Sequence, residues 1–451
     1  MNAGTQTVVL VLLGSLLVSG FWLGYRQGQT PVEIVPLERP PLPLELLDVS
    51  ALKPAPLPIE RPAADWDVVT PPPAPKVVVP VPAPVTPKLP PLVVAQAQEE
   101  QRYVPVEQSR LSIDELPEAT LSQLSWSAGE TLHGAAMRTP VLVARGAAPG
   151  QTLCVTAAVH GDELNGIEAV RQVMYTVNVR KLNGTLVGVP IVNLQGFQRQ
   201  SRYLSDRRDL NRFFPGNPRG SVAARMAHVF FNDIILNCDG LVDLHTGSFH
   251  RTNLPQLRAD LNDEAVRALT LGFGSTPVLH SQGGDGTLRR AAVAAGIPAV
   301  TLEAGEPLRL QKDAIDHTVK ALFTLMDTLG MYNKRSFWGN PEPRYYQSHW
   351  IRADRGGMLF SEVKLGKRVK SGELLGRVTD PITNERMDVI APFAGRVIGM
   401  AVNQFVMPGY AAYHLASEAD LDEALDEPEP ESWLVQPVDV AGVAENDRED
   451  S

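Results

Sequence analysis

Cysteine is scarce in this 451-residue chain, which holds two, Cys154 and Cys238. Two thiols do not fix a redox compartment. Each lies in or beside an apolar strand, so the sequence reads them as buried thiols rather than a bridge. A basic surface is also missing. The formal charge is −10, and from Glu418 onward 13 acidic residues face one arginine, which leaves about +2 for everything before. The acidity belongs to a tail, and no nucleic-acid partner is expected. Charge is absent altogether from residues 7–25, TVVLVLLGSLLVSGFWLGY, a run roughly long enough to span a hydrocarbon core as a helix. It has no Lys or Arg before it and exceeds a signal peptide's usual apolar core. An uncleaved anchor is therefore expected, rather than a signal cut near Ser19 and Gly20.

What is abundant is proline, and it is concentrated. Of the 38 prolines, 19 fall in residues 31–95. Proline fixes φ and removes backbone donors, so this stretch reads as extended polyproline II with no packed core. At roughly 3 Å per residue it reaches on the order of 100 Å. Arg26 after the apolar run mildly favours a cytoplasmic C-terminal side. A long stiff spacer behind an anchor suits a periplasm better, and the expectation is a membrane-anchored protein with a periplasmic catalytic domain.

The expected layout is an anchor over 1–30, a Pro-rich linker over 31–117, an α/β domain over 118–340, a β domain over 341–417 and a disordered acidic tail over 418–451. Within the α/β part, strand-like runs at 140–145, 152–159, 185–192, 240–244, 276–280 and 297–303 alternate with helix-like runs at 163–177, 220–236, 262–272, 286–295 and 312–329. The chain is organised around TLCVTAAVHGDELNGIE, residues 152–168. A β-rich run ends on His160, Glu163 follows three residues later, and a helix then begins. That spacing can set an imidazole and a carboxylate on one ion at the C-terminal edge of a sheet, where open α/β sheets bind ligands. GLVDLHTG delivers His245 to a second strand end, a place for a third ligand. PAVTLEAGEP delivers Glu303 to another, where a carboxylate is costly to bury unless paired or functional; its natural role is general base and acid. Between them SRYLSDRRDLNRFFPG, residues 201–216, is dense in charge, and Asn211-Arg212 would suit a substrate carboxylate.

HGDE, SRY with DLNR, DLHTG and LEAGE, in that order, resemble the aspartoacylase and succinylglutamate desuccinylase family, the deacylase branch of the zinc-carboxypeptidase-like fold. The resemblance covers about residues 120–330. It implies a mixed sheet with flanking helices, and zinc held by His160, Glu163 and His245. It also implies Glu303 as general base, Arg202 polarising the scissile carbonyl, Asn211 and Arg212 on the substrate carboxylate, and Asp209 orienting His160. SRY and DLNR stand further apart here than in aspartoacylase, so Arg207 and Arg208 are alternatives to Arg202. Tyr203 and His250 are near enough to line the pocket.

Residues 350–416 change character, with Val, Gly and β-type alternation in GKRVKSGELLGRV and APFAGRVIGM. They resemble the lipoyl- and biotinyl-type barrel-sandwich fold. The turn near 380–387 has no lysine, so no covalent cofactor is expected there, and the module reads as a cap or docking domain. The functional reading is a zinc hydrolase cleaving an amide of a carboxylate-bearing N-acyl amino acid or peptide, the tether favouring a cell-envelope substrate. The alternative is a tethered, non-catalytic scaffold that keeps the fold. Protein partners, if any, would meet the Pro-rich linker, the β domain or the acidic tail.

Overall fold

The structure, a computed structural model, describes residues 103–106, 111–130, 136–332, 345–402 and 404–425. The apolar run at 7–25, the Pro-rich stretch and the acidic residues from 426 onward lie outside the described residues. Among the described residues no helix is long and apolar enough to cross a membrane.

In chain order the first strands are β1 (Tyr103–Val106), β2 (Thr120–Glu130), β3 (Ala136–Arg145), β4 (Ala148–Ala157), β5 (Asn183–Val189), β6 (Gly240–His245), β7 (Arg251–Ala259), β8 (Val278–His280) and β9 (Ala299–Gly305). Between and after them run α1 (Leu164–Thr176), α2 (Leu194–Gln198), α3 (Val222–Asp233), α4 (Glu264–Thr270), α5 (Leu288–Ala294) and α6 (Lys312–Thr328). At the centre β4, β6 and β9 lie side by side in parallel. All of β6 is buried, as a strand covered on both faces must be. Alternate side chains of β4 enter different cores. Leu153, Val155 and Ala157 pack with Val170 and Val173 of α1 and Leu322 of α6. Cys154 packs with Phe230 of α3 and Leu288 of α5. The result is a mixed sheet with helices on both faces, the layered solution for strands apolar on each side.

Cys154 and Cys238 are bonded to one another, contrary to the expectation of two thiols. Cys238 lies two residues before β6, the neighbour of β4, and both sulfurs belong to the same core. Their Cα atoms stand 5.8 Å apart across 84 residues of sequence, inside the range a disulfide spans. Two cysteines that far apart in sequence carry no sign of this until the strand order is known.

The folded part also begins before residue 118. Leu111 and Leu116 are buried in the core shared with Trp126 and Phe230. Arg145 holds their loop by donating to the carbonyls of Ile113, Asp114 and Leu116. The tail begins later than 418. Glu418 accepts from Arg368 and from Tyr346 Oη, and a short helix follows it.

The C-terminal region is all-β: β10 (Tyr345–Arg352), β11 (Gly357–Ser361), β12 (Arg368–Val369), β13 (Leu374–Thr379), β14 (Arg386–Ile390), β15 (Gly395–Ala401), β16 (Gln404–Val406) and β17 (Ala411–Ala419), then α7 (Leu421–Leu425). β14, β13, β11 and β16 form their own sheet, and the region has its own core around Leu359, Val378 and Tyr413. It is not detached, however. β10 pairs with β8, and β15 pairs with β7, so the large sheet runs on into it.

Candidate metal centre and active site

Three strand ends and one turn build the site. After β4 the chain turns through His160 and Gly161 into α1. A side chain at Gly161 would meet the backbone of Gly196 at 2.0 Å, so only glycine fits beneath α2. Glu163 occupies the N-cap position of α1, where the helix dipole favours a negative charge. His245 ends β6. The ligand atoms of His160, Glu163 and His245 lie within 4.8 Å of one another, and all three residues are buried.

The donor set fits a cation. His160 Nδ1 is 2.8 Å from Glu163 Oε1, His245 Nδ1 is 2.9 Å from Glu163 Oε2, and the two Nδ1 atoms are 3.2 Å apart. A tetrahedral ion with ligands at about 2.0–2.1 Å holds them about 3.3 Å from each other, so movements of a few tenths of an ångström suffice. The outer nitrogens are already engaged: His160 Nε2 lies 3.1 Å from Asp209 Oδ1, and His245 Nε2 lies 2.8 Å from Asp243 Oδ2. Carboxylates there fix each ring and leave both Nδ1 lone pairs aimed at the centre, a common arrangement behind metal-binding histidines. Without an ion each Nδ1 can donate to its own Glu163 oxygen, and a cation would take the place of those protons.

The electrostatics are those of a centre built around positive charge. Burial opposes ionisation of Glu163, but His160 and His245 outweigh it and hold its carboxyl far below the usual range. Burial likewise opposes the charged form of His245, and Asp243 and Glu163 overcome it, raising the imidazole well above its ordinary value. Asp209, despite its burial, is held far down by His160 and Arg202.

Each residue singled out from the sequence has a definite place. Arg202 is buried against the centre, its Nη1 3.3 Å from His160 Nδ1 and 3.7 Å from Glu163 Oε1. Its Nε and Nη2 both donate to Asp209 Oδ2, at 3.1 and 2.8 Å. Arg207 and Arg208 are exposed, and Arg208 pairs with Asp206, so neither reaches the centre. Asp209 also caps the short turn at Leu210–Arg212 by accepting from the Asn211 amide. Asn211 lines a cavity of about 50 Å³ together with His160, His245 and Glu303. Its Oδ1 accepts from the Leu288 amide at 2.8 Å. Arg212 is half-buried and donates to the Asn211 carbonyl; neither it, Tyr203 nor His250 lines this cavity. Glu303 on β9 stands beside His245 in register. Its Oε2 accepts from Asn253 Nδ2 at 3.1 Å, and its Oε1 is 3.6 Å from Arg258 Nε.

Sequence reasoning missed Arg258 and Arg289, two buried arginines in the same cavity wall. Arg289 Nη1 donates to the Ser281 carbonyl at 2.5 Å. Burial and the neighbouring Arg258 guanidinium push its pKa down to about 10. Glu303 faces Arg258, and Asp260, Asp243 and Glu303 bring opposite charge to Arg289. Arg258 comes from β7, whose strand pattern Pro255 interrupts. Arg289 stands at the start of a short helix with no motif around it.

Residues 149–329 match the family described as Succinylglutamate desuccinylase/Aspartoacylase catalytic domain. An N-alpha-acetyl-L-2,4-diaminobutyric acid deacetylase from Halomonas elongata is 25% identical over 271 residues, 57% of this chain and 78% of the relative. A succinylglutamate desuccinylase/aspartoacylase structure from Rhodobacter sphaeroides superposes with a TM-score of 0.61 at 21% identity, covering 69% of this chain and 99% of that one. The product-bound ectoine utilization protein from Ruegeria pomeroyi gives 0.58 at 23%, covering 65% and 93%. At these identities the two structures establish the mixed α/β fold.

Proposed function

We propose, from the premise that the chain belongs to the succinylglutamate desuccinylase/aspartoacylase family, that it is a zinc-dependent hydrolase. Its reaction is cleavage of the amide bond of an N-acyl amino acid that carries a free carboxylate. The family and the deacetylase relative support a hydrolytic deacylase. The convergence of His160, Glu163 and His245 supports the metal, and an N2O donor set suits zinc. A zinc ion there supplies Lewis acidity and makes a water nucleophilic near neutral pH.

The chain's own residues do the rest. Glu303 accepts the attacking water's proton and returns it to the leaving amine. Arg202, fixed by Asp209, presents Nη1 to the carbonyl oxygen as it gains charge. Asn211 and Arg289 hold the substrate carboxylate, with Arg258 adding positive charge between it and Glu303. Acetyl is the first acyl group to test, because the deacetylase relative is named for it.

The single observation that carries the carboxylate is the Arg258 and Arg289 pair. Arg289→Met is expected to raise KM for an N-acetyl amino acid about 10- to 100-fold, the usual range for a lost charge-assisted hydrogen bond, while kcat changes far less. Steady-state kinetics across a panel of N-acetyl amino acids and their α-amides check it. An Arg289→Met enzyme with wild-type KM, or a wild type that cleaves the amides equally well, would remove the carboxylate from the proposal.

For location we propose the anchored, periplasmic arrangement, with the C-terminal β region folded as a barrel-sandwich. The bond between Cys154 and Cys238 supports an oxidising compartment. The full chain taken from bacterial cells and denatured without reductant is expected to present no thiol to maleimide, and the same chain lacking residues 1–30 to present two. Reactive thiols in the full chain would overturn the location.

A further inference from the structure

β6 and β7 are joined by a tight turn, and the C-terminal β region holds it. Phe249 and His250 both have left-handed backbone, φ 51° and 61°. Neither is glycine, and consecutive residues of this kind persist only where surroundings hold them. The holding groups come from one place. Tyr410 Oη donates to the Phe249 carbonyl at 2.6 Å, and Gln404 Nε2 donates to the His250 carbonyl at 3.1 Å and to Tyr410 Oη at 3.0 Å. The Val402 amide donates to the same His250 carbonyl at 2.8 Å. Arg251, directly after the turn, lies between the rings of Trp350 and Tyr410, at 5.0 and 4.6 Å.

The other side of the turn touches Arg202. Its Nη1 donates to Ser248 Oγ at 2.7 Å, and its guanidinium lies 5.3 Å from the centre of the Phe249 ring. Asp209 fixes one edge of this guanidinium, and Ser248 with Phe249 fixes its Nη1 edge and one face.

We propose that Tyr410 and Gln404 are positioning residues for the metal centre: by clamping the Phe249–His250 turn they hold Ser248 and Phe249 against Arg202 and so set where its Nη1 points. The β region is then part of the catalytic apparatus rather than a cap over it. The kinetic side rests on the hydrolase reading; the geometric side does not.

The test uses the full chain loaded with zinc and carrying ¹⁵N-arginine, with the Arg202 Nε–H resonance assigned through Arg202→Lys. Tyr410→Phe keeps the ring against Arg251 and removes the hydroxyl that donates to Phe249 and accepts from Gln404. It should shift or broaden the Arg202 resonance, as should Ser248→Ala. Met358→Ala, on the exposed outer sheet of the β region, should not. On the best N-acetyl amino acid from the panel, Tyr410→Phe should lower kcat about 5- to 10-fold, the range of one lost hydrogen bond, with KM within about twofold. Tyr410→Phe combined with Ser248→Ala should be no slower than Ser248→Ala alone, because both cut the same chain of contacts. An unmoved Arg202 resonance in Tyr410→Phe would overturn the proposal, as would kinetic losses that multiply. If wild type cleaves no N-acyl amino acid, the hydrolase reading alone fails and the resonance still decides the clamp.

Discussion

Glu303→Gln should leave folding and zinc content close to wild type and lower kcat by about 10²-fold or more, with KM little changed. The substitution keeps the side chain's shape. Its amide oxygen can accept from Asn253 Nδ2 as Glu303 Oε2 does at 3.1 Å. Its amide nitrogen then faces Arg258 Nε, where the carboxylate now sits 3.6 Å away, so a small stability loss is expected. What it cannot do is take a proton. Glu303 stands beside His245 in the sheet and lines the same cavity, yet it is not among the three clustered ligands, so base and ligand are separable. Stopped-assay kinetics with metal analysis on the same sample check this. Full turnover in Glu303→Gln would assign the base to another residue.

His245→Ala should behave differently, losing metal and turnover together, with the rate down on the order of 10³-fold or more. It removes one of three ligands, and it also takes a partner from Asp243 Oδ2 and Glu163 Oε2, which lie 2.8 and 2.9 Å from the imidazole; the two carboxylates keep Thr156 and the Thr246 amide. Buried carboxylates that lose a cationic partner are costly, so His245→Ala alone confounds ligation with folding. His245→Asn retains a short polar group for those partners and still lacks the imidazole. Both variants should be metal-poor by plasma emission analysis. If His245→Asn were folded and bound one zinc with wild-type affinity, the centre would not be the one described.

The parts of the fold that announced themselves did so by periodicity. β4, β6 and β9 are short apolar runs, and α1, α3 and α6 carry apolar positions at helical spacing, so packing and local pattern point the same way. The clustered residues were legible because His160 and His245 sit where strands end and Glu163 opens the helix that follows, and a parallel sheet gathers its strand ends at one edge. β7 was hidden because its job conflicts with its pattern: it buries Asn253, Gln256 and Arg258 and carries Pro255, so it lacks apolar alternation. Glu303's hydrogen-bond partner and one of the two cavity arginines therefore went unread. The disulfide was hidden for a topological reason, since only the adjacency of β4 and β6 brings Cys154 to Cys238. Continuity between the sheets was invisible for the same reason, because strand pairing across residues 253 and 399 leaves no local trace.

The most direct measurement is a zinc titration of the chelator-stripped full chain, following acetate release from an N-acetyl amino acid at each addition. The proposed site predicts no release at zero zinc, a rate rising in proportion to added metal, and a plateau at one zinc per chain. Release that is undiminished in excess chelator, or no release from any member of the panel by folded protein holding one zinc, would contradict it.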